Sequence, residues 1–382
     1  MEIAIKELGA IITGNTPSKK VKEYWNSKDI CFVKPDIIAD EGIDDITESN
    51  EYISEFARKK ARIVKENAIF VTCIGSIGKI GIAGSGEYAF NQQINVIIPN
   101  EKVRSKYLAY NLYFNKSKLV AIANAPVVPI INKSQFGDFI INIDTDINKQ
   151  DKAIEVLDKL TKIIQQRKNE IMYLDNLIKA RFVEMFGSIH ESTEYPYVAV
   201  KDLTNVISGG TPSRAKSEYW EDGTIPWVKT TELQNNIIVN VDEYITEAGL
   251  NGSSAKMVPV GTVLVAMYGQ GKTRGMTAYL NIEACTNQAC ACILPSDRID
   301  SMFMWKFFEL SYEKLRSLAQ GAGQPNLNGN MIKNFQVLVP PIELQKEYVD
   351  FVHQTDKSKV AVQKALDETQ KLFDSLMQQY FG

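Results

Sequence analysis

Residues 14–18 read Gly14-Asn15-Thr16-Pro17-Ser18, and residues 209–213 read Gly209-Gly210-Thr211-Pro212-Ser213. Downstream, Glu23-Tyr24-Trp25 is answered by Glu218-Tyr219-Trp220, and Phe186-Gly187 by Phe381-Gly382. Thr16 and Thr211 stand 195 residues apart (211 − 16), and the other pairs keep that offset. A period this long marks a whole structural unit used twice rather than a solenoid of short repeats. Two similar but unequal units suit a partner that is itself two similar but unequal pieces.

Working outward from the repeated loop, short β-branched and aromatic runs bounded by turn formers predict strands. In the first half these are 29–34, 68–72 and 94–99; in the second, 224–229, 262–266 and 291–295. A helical pattern over Tyr107–Phe114 is matched by Phe303–Phe308. Each half therefore reads as an α+β domain on short, mostly antiparallel strands, with the pairing left open. No Pro or Gly interrupts 147–186 or 342–381, and each run stops at a glycine, as helix C-termini do. Leu157, Ile164, Ile171, Ile178 and Met185 recur every seven residues, and the repeat carries the register to Val352, Lys359, Leu366, Phe373 and Tyr380. That is a heptad seam with one charged exception. Each helix either packs along its own domain or pairs with the other. Because each domain precedes its helix, antiparallel pairing would put the domains at opposite ends of a rod of about 60 Å, a pseudo-two-fold arrangement. The expected organisation is a first domain over 1–145, a spacer helix over 146–187, a second domain over 188–341 and a C-terminal spacer helix over 342–382.

Length and composition set outer bounds. A chain of 382 residues, 45% hydrophobic and 23% charged, suits two folded domains. No run is long and apolar enough to span a bilayer, and the N-terminus is no signal peptide. Cys31, Cys73, Cys285, Cys290 and Cys292 make no CxxC pair and, with only His190 and His353, write no familiar zinc set. They read as reduced thiols of a cytoplasmic protein with no metal. A net charge of −3 argues against a generic nucleic-acid coat but not against a reader with cations gathered on one face.

Taken in order and twice over, these motifs give the chain its resemblance. They include Ile12–Ser18 with Tyr24-Trp25 and Phe32-Val33-Lys34, Gly75–Gly81, and Asn91-Gln92-Gln93. The second half supplies Ile207–Ser213, Gly269-Gln270-Gly271-Lys272, Asn287-Gln288, 324–328 and Leu338–Gln345. The whole chain resembles the specificity subunit of type I restriction-modification systems. That resemblance implies two target recognition domains separated by two long antiparallel helices forming a coiled-coil spacer, each domain reading one half of a bipartite, asymmetric double-stranded DNA target. It implies two methylation subunits docked along the helices and restriction subunits outside them, with S-adenosylmethionine, ATP and Mg on those partners and no cofactor on this chain. The first half departs from the pattern at 125–132 and 143–146, where the second has Gly-Gln-Pro-Asn and Val-Pro-Pro-Ile.

The chemistry left to the chain is recognition. Gly75–Lys79 lacks the gap and the Ser/Thr of a Walker A loop, and the glycines of 269–273 are too close together. No Asn/Asp-Pro-Pro-aromatic loop is present for adenine methylation, and no acid-base pair is evident. Tyr24-Trp25 and Tyr219-Trp220 read as packing anchors, and Asn91-Gln92 and Asn287-Gln288 as turn formers more than base readers. Two readers of different half-sites should differ where they touch bases and agree in framework. Candidate DNA contacts are therefore Asn15, Lys19, Lys20, Lys22 and Lys79 with Lys133 in the first domain. In the second they are Arg214, Lys216, Gln270, Lys272 and Arg274, with Gln324 and Asn326. The helix seam is expected at Leu157, Ile164, Ile171, Ile178, Val352, Leu366 and Phe373. A different class of protein, a tandem-domain binding or scaffold protein without nucleic acid, has the same organisation.

Overall fold

Short β-branched runs form the strands and the long Pro- and Gly-free runs form helices, in a computed structural model that describes residues 1–123, 128–269, 271–320 and 326–382. The chain divides into one unit of Met1–Lys168 with Gln363–Gly382, and another of Asn169–Val362. In the first unit a five-stranded sheet runs in the order Gly9–Thr13, Ile94–Pro99, Ile69–Thr72, Ile80–Ala83, Ile43–Ile46. A four-stranded sheet runs Glu51–Ile53, Ile30–Val33, Glu87–Phe90, Ile63–Lys65. Each contains one parallel pairing among antiparallel ones.

The second unit repeats the plan. Its five-stranded sheet runs Val206–Ser208, Cys290–Ile293, Val263–Ala266, Thr277–Leu280, Asn236–Ile238, beside a three-stranded sheet of Glu243–Ile245, Ile225–Val228 and Cys285–Thr286. A short antiparallel pair closes each domain: Glu2–Ala4 with Ile140–Asn142, and Tyr197–Ala199 with Gln336–Leu338. The repeat in the sequence is therefore a repeat of topology, parallel pairings included.

The long helices are Ile147–Phe186 and Ile342–Phe381, 40 residues each. In the second unit Asp175 pairs with Lys359, and Arg181 with Glu347 at 2.8 Å. Rising numbers on one helix meet falling numbers on the other, so the segments are antiparallel. Lys359, the charged break in the heptad, is accommodated because Asp175 faces it. In the first unit Ile164 and Gln165 line one cleft with Gln370 and Phe373. Leu157, Ile164, Ile178, Val352, Leu366 and Phe373 are buried, whereas Ile171 is half-buried.

The heptad reading needs correction at both helix ends. Met185 and Tyr380 are only half-buried, while Phe182, Phe186, Met377 and Phe381 are buried. The apolar spacing changes there from seven to four because the last turns bury a wider face, Phe182 and Phe186 packing both on the domain and on Tyr348 of the other long helix, and a straight helix drifts off a strict seven-residue repeat. Phe182 and Phe186 pack on Phe303 of the Ser301–Leu310 helix at ring distances of 6.0 and 5.4 Å. Phe381 packs on Tyr107 of the Ser105–Phe114 helix at 5.0 Å.

Truncating Phe381 to Ala should destabilise the first unit by about 3–5 kcal/mol. Amide exchange should quicken over 105–114 and stay slow over 301–310. Equal quickening of both helices would show that the seat at Phe381 is not local to the first unit.

Candidate functional site

The repeated loop leaves the end of a sheet strand in each unit. Gly14 N donates to Ile94 O and Asn15 N to Phe90 O, both at 3.0 Å. A Cβ on Gly14 would run into the carbonyls of Phe90 and Asn91, and one on Gly209 into Thr286. Glycine is required here by close approach of two backbones. Beyond it the two copies are pinned alike. Thr16 Oγ1 donates to Gln92 Oε1 at 2.8 Å, and Thr211 Oγ1 to Gln288 Oε1. Trp25 Nε1 donates to Ser18 O at 3.3 Å, and Trp220 Nε1 to Ser213 O at 3.2 Å. Both indoles also pack edge-on against an aromatic of the neighbouring strand, Phe32 and Trp227. Asn91 Oδ1 and Asn287 Oδ1 accept from Gln93 N and Ala289 N, holding their own turns.

On this shared frame sits a cation held over an indole face. Lys19 Nζ lies 3.7 Å from the Trp25 ring, and the Arg214 guanidinium, at the same repeat position, 3.5 Å from Trp220. A carboxylate bridges each to a second lysine. Glu51 pairs with Lys19 and with Lys34 at 2.6 Å. Glu243 pairs with Arg214 at 2.5 Å and with Lys229 at 3.1 Å. Strand pairing brings these carboxylates in, with Glu51 opposite Phe32 and Glu243 opposite Trp227. Lys19 and Lys34 hold the Glu51 carboxyl below its ordinary range. Burial works against the charged form of Glu243, but Arg214 and Lys229 outweigh it and the net shift is also downward.

The copies differ just where the glycine loop opens. Asn15 ties the first loop to the next turn, its side chain donating to Lys60 O at 2.7 Å and accepting from Arg62 N at 2.9 Å. Gly210 takes its place in the second, where any Cβ would collide with the Ser254–Ala255 backbone. Lys20 and Lys22 are exposed beside Lys19, and Lys216 is exposed with its ammonium donating to Tyr219 Oη at 2.8 Å.

The remaining expected contacts fall elsewhere. Lys79 requires correction. Its Nζ donates to Pro35 O and Ile38 O at 3.2 Å and pairs with Asp40, leaving the side chain 13% exposed, so it anchors the 35–40 loop. Lys133 is exposed in the first turn of Lys133–Asp138, whose start is closed by a reciprocal Asn132–Gln135 cap. Lys272 is exposed and Arg274 half-buried on a turn whose carbonyls accept from Tyr312 Oη and Arg316. Asn326 is half-buried and bridges to Gln320 through the main chain. Gln270 and Gln324 lie outside the described residues. Sequence reasoning missed Glu51 and Glu243 as parts of the site, and read Gln92 and Gln288 with their asparagines as turn formers without showing that they hold the repeated threonines. The doubled Asn-Gln was a usable signal for the glutamines, but nothing local marked the two carboxylates. Among the described residues no group of three His, Cys, Asp or Glu side chains is arranged to hold a metal, and no helix is long and apolar enough to cross a membrane.

A family described as "Type I restriction modification DNA specificity domain" matches residues 1–173 and 193–369. The MjaIX specificity subunit of Methanocaldococcus jannaschii is 22% identical over 98% of this chain and 90% of its own length. The EcoR124I/EcoR124II specificity subunit of Escherichia coli is 22% identical over 56% of this chain and 54% of its own. The fold is similar to that of a type I S subunit from M. genitalium, with a TM-score of 0.62 at 14% identity over 100% of this chain and 96% of that one.

The downward pKa shift of Glu51 carries a sign. A carboxylate depressed in the folded state adds stability above its unfolded range and loses it as pH falls through the folded value. Glu51→Gln should therefore be less stable than the parent at neutral pH, with the gap closing below about pH 4. A gap independent of pH in urea titrations would mean that Lys19 and Lys34 do not stabilise the charged carboxylate.

Proposed function

We propose that this chain, which belongs to the type I restriction-modification DNA specificity family, reads a two-part asymmetric target, each α+β domain taking one half. One observation carries the reading: the same loop, indole, cation and carboxylate are built in both units, around Lys19, Trp25 and Glu51 and around Arg214, Trp220 and Glu243. The family membership makes the chain a sequence-specific DNA reader, not the catalyst. A doubled frame with differing surfaces is what two similar readers of unlike half-sites require. In this reading the pinned loops and exposed Lys20 and Lys22 lie along phosphates, and Arg214 and Lys216 offer donors to the second half-site. Lys133, Lys272 and Arg274 serve as secondary contacts, and Lys79 acts through the loop it anchors.

The long helices set the number of base pairs between the halves, since adjacent half-sites read from one face lie about 34 to 36 Å apart. They also dock two methylation subunits, with restriction subunits farther out. Exposed apolar side chains on the first long helix support such docking: Val156 and Ile163 in one unit, and Met172, Tyr173 and Leu177 in the other. S-adenosylmethionine, ATP and Mg belong to those partners.

DNA binding should be sequence-selective, should weaken steeply with salt, and should tighten when a methylation subunit is added. Selective binding absent under all three conditions would favour a scaffold without nucleic acid. Inserting four residues after Gln165 lengthens a helix by about 6 Å. The accepted half-site spacing should change or binding should vanish, and unchanged spacing and affinity would remove the helices from the measurement of distance.

A further inference from the structure

Position 150 in the first half and position 345 in the second hold the same residue, a glutamine, and both are buried, at 0% and 1% exposure. Each stands about one turn inside a long helix. Gln150 Oε1 accepts from Arg104 N at 2.8 Å, and its Nε2 donates to Asp144 O at 2.7 Å and Lys102 O at 3.0 Å. Gln345 Oε1 accepts from Asp300 N at 2.8 Å, and its Nε2 donates to Pro340 O at 2.7 Å.

The partners are equivalent in the two halves. Arg104 and Asp300 immediately precede the helices Ser105–Phe114 and Ser301–Leu310, against which the long-helix ends pack. Asp144 and Pro340 lie in the short exit between the closing strand of the domain and the long helix. One side chain thus ties three segments together at the point where each domain joins its helix. Every partner is a main-chain group, so side chains at those positions are free to differ, Arg against Asp and Asp against Pro. The glutamine is not free, because an apolar side chain of its size would leave a buried N–H and a buried carbonyl without partners.

Resting on the bipartite reading above, we propose that Gln150 and Gln345 are positioning residues for target recognition. Each fixes the angle at which a reading domain leaves its long helix, and so restricts the complex to one half-site spacing. They touch no base. Their effect is on distance, not on the letters read. Losing two or three buried hydrogen bonds shifts a docked-to-loosened equilibrium on the order of tenfold or more.

The test uses the full chain with its partner subunits in a host whose methylated sites are mapped. In Gln150→Ala or Gln345→Ala both half-site sequences should persist, while sites with a spacer one base pair longer or shorter rise about tenfold over the parent. A spacer as strict as the parent's, or altered half-site bases, would overturn the proposal. If the alanine variants fail to accumulate, Gln150→Met and Gln345→Met keep the volume, and the same two outcomes decide. Amide exchange gives an independent readout: protection should fall at Arg104 or Asp300 and hold in the neighbouring helices, and unchanged protection there overturns the staple. A parent chain that directs methylation to one uninterrupted motif would instead defeat the bipartite reading, whatever the variants do.

Discussion

Each unit depends on burying the end of a long helix that comes to it from the other side of the repeat. The Ser105–Phe114 helix of the first domain is covered by Phe373 and Phe381, which lie at the far end of the chain. The Ser301–Leu310 helix of the second is covered by Phe182 and Phe186, which follow the first domain. Fully burying aromatic rings of this size gains on the order of 2–3 kcal/mol each, and the edge-on ring pairs add to it. A domain without its helix end would expose a contiguous aromatic face, so the spacer helices and the domains are a single folding problem rather than beads and a string.

The repeated site shows how one frame is made to present two surfaces. Glycine at 14 and 209, the threonine-to-glutamine bonds and the indole-to-carbonyl bonds are common to both copies. They close the loop on itself and ask nothing of a partner. What differs projects outward or replaces a neighbouring contact: Lys19 against Arg214, Asn15 against Gly210. Lysine offers a point charge, while arginine offers a planar fork that stacks as well as donates. Glu51 and Glu243 keep these cations ordered over their indoles, and a charge already ordered loses less entropy when it meets a ligand.

Much of this was legible from residues alone, because local patterns carry it. Val and Ile runs between turn formers fall on the observed strands, and two stretches free of Pro and Gly are helical throughout. The heptad was readable through Phe373 and failed at Met185 and Tyr380, since a fixed period cannot register that the last turns also pack on a domain. Lys79 looked like a surface cation because nothing nearby in sequence shows that the carbonyls of Pro35 and Ile38 will surround it.

Residue order alone establishes two copies of one α+β plan, a long helix after each, and a family of DNA readers. Local propensity, periodicity and repetition are enough for those, since each depends on residues close in the chain or on direct comparison of two stretches. The closed fold is what brings Glu51 and Glu243 to the cation over each indole. It alone also decided which helix end seals which domain, and that Gln150 and Gln345 are buried staples. Those facts depend on strand pairing and on packing between segments more than 270 positions apart, 381 against 107 being the clearest (381 − 107 = 274). No local pattern encodes them, because their energy comes from burial and hydrogen bonds that exist only once the chain has closed on itself.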